Sequence, residues 1–277
     1  MKKLFLLATF AGFVYFSEAQ QLKTPVASPR QELKQEFGLS TVEVSYSRPA
    51  KKGRTIFGEL EAYDKVWRTG ANAATTITFG DAVTFGNTNV PAGKYGLLTI
   101  PGKTEWTVIL SKQTNVTSHA AYKQSEDVAR VKVPVNELPF SLESFTISFD
   151  AVLPTSMQLI IGWDKTVVIV PITTEVASKV YRQISELEGK TDFPYFQAAS
   201  FYLENNKELP KALTWFQKAA AESPDAYWVL FQKAQCEAKL GKKKEAIASA
   251  KKSKELAAAA QNDGYVVQLD GFLSTLN

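Results

Sequence analysis

The chain has 277 residues, 45% of them hydrophobic and 22% charged, an ordinary globular composition that excludes wholesale disorder. That length holds two domains, each able to bury its own core. A formal net charge of +4 is too weak a bias to point to nucleic acid, and the lone Cys236 excludes a disulfide within the chain.

Residues 1–19 read as a secretory signal peptide: Met1-Lys2-Lys3 is a basic start, residues 4–16 an apolar core, and Ser17-Glu18-Ala19 a small-x-small cleavage site. The apolar stretch is too short to span a bilayer and no longer one follows, so no membrane span is expected. No Cys stands at the cleavage point to carry a lipid. Cleavage removes Lys2, Lys3 and Glu18 and leaves a net charge of about +3. An exported chain without disulfides fits a bacterial periplasm or the cell exterior. Residues 20–28 are polar, contain Pro25, and read as a flexible leader.

From Gln31 the apolar residues alternate: Leu33 and Phe37, then, after Gly38, Val42, Val44 and Tyr46, which predicts a hairpin, with a short helix over residues 31–37 as the alternative. Pro49 breaks the strand, Lys51-Lys52-Gly53-Arg54 reads as a solvated basic loop in preference to a polyanion site, and Ile56-Phe57 is expected to tuck back onto the core. Further strands are predicted at residues 66–69, 75–79, 82–85, 94–100, 106–111, 128–135, 142–149, 157–163 and 166–172. Gly80-Asp81 is read as a two-residue reversal, residues 87–89 as another turn, and Asp164-Lys165 as the joint of the last two strands. Short strands at near-regular spacing, with no useful helix among them, predict an antiparallel, jelly-roll-like β-sandwich over residues 29–173.

Near Thr174 the period changes to that of a helix. Val176, Val180, Ile184 and Leu187 form one stripe and Gly189 ends it. Helices follow at residues 195–204, 210–222, 225–240, 243–260 and 265–276, with Gly241 where a helix–helix turn would need it. Ala212, Phe216, Ala219 and Pro224 resemble the second half of a tetratricopeptide repeat, and Phe196, Ala199 and Leu203 fit its first helix. A looser copy runs through Leu230, Ala234, Gly241, Ala246 and Ala250, so residues 174–277 are expected to form an all-α, tetratricopeptide-like domain. Cys236 falls among Ala234, Ala238 and Leu240 and reads as a small buried hydrophobe. The lysines at 242–244, 251, 252 and 254 make a solvated basic face open to an acidic partner or anionic headgroups.

The densest run is Val66-Trp67-Arg68-Thr69-Gly70-Ala71-Asn72. It comes after Ser28-Pro29-Arg30, Ser45-Tyr46-Ser47-Arg48-Pro49 and Ile56-Phe57-Gly58, and before Pro91-Ala92-Gly93-Lys94-Tyr95 and Thr99-Ile100-Pro101-Gly102-Lys103. Together these strings resemble a secreted bacterial domain family of unknown function, over residues 28–172. The resemblance implies an exported β-rich domain and supplies no activity. The family pattern often carries Glu where this chain has Ala73, which closes a carboxylate role there.

Read residue by residue, the same run offers a ligand site. Arg68 presents a planar fork of donors for carboxylate, phosphate or sugar hydroxyls, with Asn72 beside it. Trp67 and Trp106 could stack on a sugar face. Alternatively Arg68 caps loop carbonyls or pairs with Asp64, while Gly70 and Asn72 only shape a turn. His119, the one histidine, lies in a polar loop (residues 113–124) expected to cover an end of the sandwich. One His and one Cys do not make a zinc site, no calcium loop occurs, and no cofactor motif is present. Glu59, Glu61, Asp64, Asp81 and Glu105 are interchangeable candidates for paired carboxylates.

These readings favour an exported envelope protein that binds a saccharide or anionic small molecule on its sandwich and a protein partner at its helical tail, without catalysis. One alternative is a hydrolase of an envelope or dietary polymer, using Arg68 and Asn72 for substrate and Asp64 or His119 as acid or base. The other is a purely structural protein.

Overall fold

A computed structural model of the protein describes residues 24–276. The signal-peptide reading and the first residues of the leader lie outside the described residues. The chain divides into two compact units between Val176 and Ala177.

The first unit is built of antiparallel strands in two sheets. β1 (Arg30–Phe37) and β2 (Ser40–Ser47) form the expected hairpin, with Gly38 at φ 61° opening its two-residue turn. The helical alternative fails because β1 alternates exposed and half-buried residues as an edge strand does. β3 (Thr76–Phe79) pairs with β2, and β6 (Gly93–Ile100), β7 (Glu105–Ser111) and β8 (Asp127–Pro134) complete a sheet of order β1-β2-β3-β6-β7-β8. The second sheet has the order β5-β4-β10-β9, from β4 (Val83–Phe85), β5 (Thr88–Val90), β9 (Asn136–Asp150) and β10 (Ser156–Thr173). Inward residues of both sheets share one core: Val42, Val44, Ile77, Leu97, Val108 and Val131 from the first meet Phe85, Ile147, Leu159, Ile161 and Val170 from the second.

Four local expectations are corrected. Gly80-Asp81 is not a hairpin turn, because β3 and β4 belong to different sheets; the two-residue reversal is Gly86-Asn87, with Gly86 at φ 61° between paired Phe85 and Thr88. Residues 66–69 are not a strand; their ladder contact with the sheet is an isolated bridge from Trp67 to Thr99. The two runs ending at Thr173 are one strand: register shifts around Asp164, at φ 53°, move the buried set from Leu159, Ile161 and Trp163 to Val168, Val170 and Ile172. This bulge reverses the alternation without ending the strand. Finally, the loop of residues 112–126 covers the outer face of the six-stranded sheet, where Val116 is buried on Leu98 and Ile109.

The second unit has six helices: α1 (Ala177–Leu187), α2 (Tyr195–Glu204), α3 (Leu209–Glu222), α4 (Tyr227–Lys239), α5 (Lys243–Ala259) and α6 (Asp263–Thr275). Gly189 and Gly241 take positive φ in the turns as expected. Ala212 and Phe216 of α3 and Cys236 of α4 are fully buried in one cluster, and burial pushes the Cys236 thiol up to about 11, away from reactivity. Among the described residues no helix is long and apolar enough to cross a membrane.

Candidate functional site

The site is assembled from three consecutive segments laid against the β9–β10 hairpin. Pro49, lacking an N–H, ends the β2 ladder. The chain then runs beside β9, where Phe145 N–H donates to Pro49 O at 2.9 Å and Lys51 N–H to Glu143 O at 2.6 Å. Lys51 Nζ lies 2.7 Å from Asp164 Oδ1, which also accepts from Ser141 Oγ, and so fastens this segment to the β10 bulge. Lys52 and Gly53, both at positive φ, reverse the chain. Arg54 folds back with Nε on Lys51 O and Nη2 on Ala50 O. The basic run is thus an ordered turn in which Lys52 and Arg54 stay exposed, as expected of a solvated loop.

The second segment buries Ile56 and sends Phe57 into a group of rings with Trp67, Trp106 and Trp163. Gly58 and Glu61 exchange with this segment's own backbone: Glu61 N–H donates to Ile56 O at 2.9 Å and Gly58 N–H to Glu61 O at 2.8 Å. That turn holds the Glu61 side chain half-buried. Burial pushes its carboxyl up to about 7, against the pull of Arg68 and Arg54, which favour the ionised form.

The third segment is the Val66-to-Asn72 run, and it holds several unusual backbone conformations. Thr69, Gly70 and Asn72 all have positive φ, as does Asp64 just before the run. For Thr69, β-branched and fully buried, that conformation is costly, of order 1–3 kcal/mol, and survives only where surroundings impose it. They do: Trp67 exchanges two backbone hydrogen bonds with Thr99, Thr69 Oγ1 donates to Thr99 Oγ1, and Thr75 Oγ1 donates to Thr69 O. Gly70, at φ 147°, is required because a Cβ there would stand 3.0 Å from both Ser47 O and Thr75 Oγ1.

Between these segments lies a cleft of ≈ 410 Å³. Lys52, Arg54, Glu61 and Arg68 supply its charges, and Leu60 and Trp163 part of its apolar wall. Arg68 Nη1 donates to Thr117 O at 2.6 Å, while its Nε is buried with no partner. Among the described residues no carboxylate forms an ion pair with Lys52, Arg54 or Arg68, so three positive charges surround the cleft against one raised carboxyl.

The residues singled out from sequence separate into groups. Arg68 lines the cleft and also caps a loop carbonyl, as one reading had it, but makes no ion pair with Asp64. Asn72 is exposed and donates to Ser28 O at 3.2 Å, which ties the end of the leader to the cleft wall. Trp67 and Trp106 offer no stacking face: they are 5% and 1% exposed, packed edge-on to each other inside the core. Asp64 is exposed and held by its N–H on Pro101 O; His119 is exposed in a short 3-10 turn (His119–Ala121). Neither lines the cleft. Sequence reasoning set Lys52 and Arg54 aside as a solvated loop in preference to a polyanion site, passed over Trp163, and held Glu61 only as one of five equivalent carboxylates. Among the described residues no cluster of His, Cys, Asp and Glu could hold a metal ion.

A β-rich unit with a polar cleft at the β9–β10 bulge, followed by a helical unit, is the class of protein that these features define. Residues 28–172 match the model of the family described as Protein of unknown function (DUF2911), and the chain belongs to that family. No curated protein and no solved structure matches it.

Proposed function

We propose that the β-rich unit is a non-catalytic binding module for a small anionic ligand, carried by an exported envelope protein. The observation that carries this reading is the cleft in which Lys52, Arg54 and Arg68 meet a single acidic group, Glu61, whose carboxyl burial raises to about 7. Its size falls in the lower part of the range for small-molecule sites. Cations held on a rigid frame by backbone hydrogen bonds bind an anion with little further ordering, which favours affinity. A hydrolase would need Asp64 or His119 at the cleft, and Glu61 stands there without a second carboxyl. Export rests on the composition of residues 1–19.

The helical unit is read as a tetratricopeptide-like scaffold for a protein partner. Its support is a set of buried positions that recur about one 34-residue repeat apart: Ala212 with Ala246, Phe216 with Ala250, and Ala219 with Ser253. Stacked helix pairs of this kind present an extended surface to another chain.

The test is a thermal-shift panel of acidic saccharides, dicarboxylates, phosphate and sulfate on the wild type and Arg68→Ala. A saturable rise in Tm that is lost in Arg68→Ala supports the module. A rise of equal size in both proteins moves the site elsewhere.

A further inference from the structure

Glu61 is the one acidic group lining the cleft, and its surroundings are uneven. Arg68 from the Val66-to-Asn72 run and Arg54 from the turn after Pro49 act on its carboxyl, and Lys52, Leu60 and Trp163 line the same cleft. The acids of the flanking elements do not line the cleft and have partners of their own: Asp164 with Lys51 and Ser141, Glu143 with the Lys52 N–H. Glu59 and Asp64, on Glu61's own stretch of chain, are exposed and do not line it. Among the described residues the Glu61 carboxyl has neither a hydrogen bond nor an ion pair. A protonated carboxyl can donate to an oxyanion, whereas an ionised one accepts only, competes for the cations and repels the ligand.

We infer that the ligand of this cleft is a small oxyanion held by Arg68, Arg54 and Lys52, and that Glu61 is the residue that selects it, donating a hydrogen bond as an acid and excluding it as a carboxylate. The inference rests on the reading of the cleft as an anion site. Half-burial places the change of state near neutrality, with the carboxyl raised to about 7. Affinity for an oxyanion therefore falls as pH rises through that range.

Sulfate is the probe, because its charge is constant from about pH 5.5 to about pH 8.5 while that of Glu61 is not. Calorimetric titration of the purified chain is expected to give binding about ten-fold tighter at the lower pH. Glu61→Gln is expected to bind with the tighter affinity at both, and Arg68→Ala weakly at both, with far-UV circular dichroism confirming each fold. Equal wild-type affinity at the two pH values overturns the role of Glu61 and leaves the anion site standing. No sulfate binding by either wild type or Glu61→Gln at the lower pH overturns the anion site itself.

Discussion

At the scale of single residues, the family strings turn out to be mostly joinery. Trp67 bonds to Thr99, Asp64 to Pro101, Tyr95 Oη to Pro91 O, and Lys103 lies over the Tyr63 ring. Distant motifs meet because each closes the other's backbone hydrogen bonds. That explains why Trp67 and Trp106 were misread: an aromatic in a distinctive string looks the same from sequence whether it faces solvent or core. Glu61 was illegible for a related reason, since burial alone separates it from four other carboxylates. Its burial has a measurable consequence. The native state holds the Glu61 proton up to about 7, while the unfolded chain releases it near its ordinary value of 4.5. Between those values the native state binds more protons, so stability falls as pH rises across that window and is level above it. Glu61→Gln, which cannot ionise, is expected to match the wild type near pH 4 and to exceed it at pH 8 by about 1–2 kcal/mol, the full shift being reduced by solvent screening at a half-exposed site. Urea denaturation at the two pH values checks this, and an equal difference at both would contradict it.

At the scale of elements, alternation was legible and connectivity was not. Period-two runs located β1, β2, β3, β6, β7 and β8, and the helical periodicity placed all six helices, because both signals are local. Whether β3 and β4 pair or part depends on which sheet covers each, which no window of sequence contains. The β10 bulge misled in the opposite direction: Asp164 looked like a turn between strands because a positive φ and a reversed alternation are what a turn also produces. In the structure it is the anchor that holds the Lys51-to-Arg54 turn at the cleft. Asp164→Ala removes a half-buried ion pair and the Ser141 hydrogen bond and puts Ala at φ 53°. A loss of about 2 kcal/mol is expected, read by urea denaturation followed through tryptophan fluorescence. A change below about 0.5 kcal/mol would show that the bulge holds without its anchor.

At the scale of the whole molecule, the chain carries two separate cores. The sandwich core gathers residues from Phe37 to Ile172, and the clusters of the helical unit begin at Ile184. The boundary was legible as the change of period near Thr174, within a few residues of the division at Val176. Phe216 is fully buried between helices, so Phe216→Ala is expected to cost the helical unit about 3–5 kcal/mol. With separate cores, the helical signal at 222 nm should melt earlier in that variant while Trp67, Trp106 and Trp163 of the sandwich, read in a background with Trp215 and Trp228 replaced by Phe, keep their transition. A joint shift of both signals would mean that the units unfold as one.

Anomalous diffraction from crystals soaked in selenate at about pH 5.5 reads directly whether an anion enters the cleft. The expected result is a selenium peak among Arg68, Arg54 and Lys52, within hydrogen-bond reach of the Arg68 guanidinium. Well-diffracting crystals with the cleft empty, or with selenate bound only at other surfaces, would contradict it.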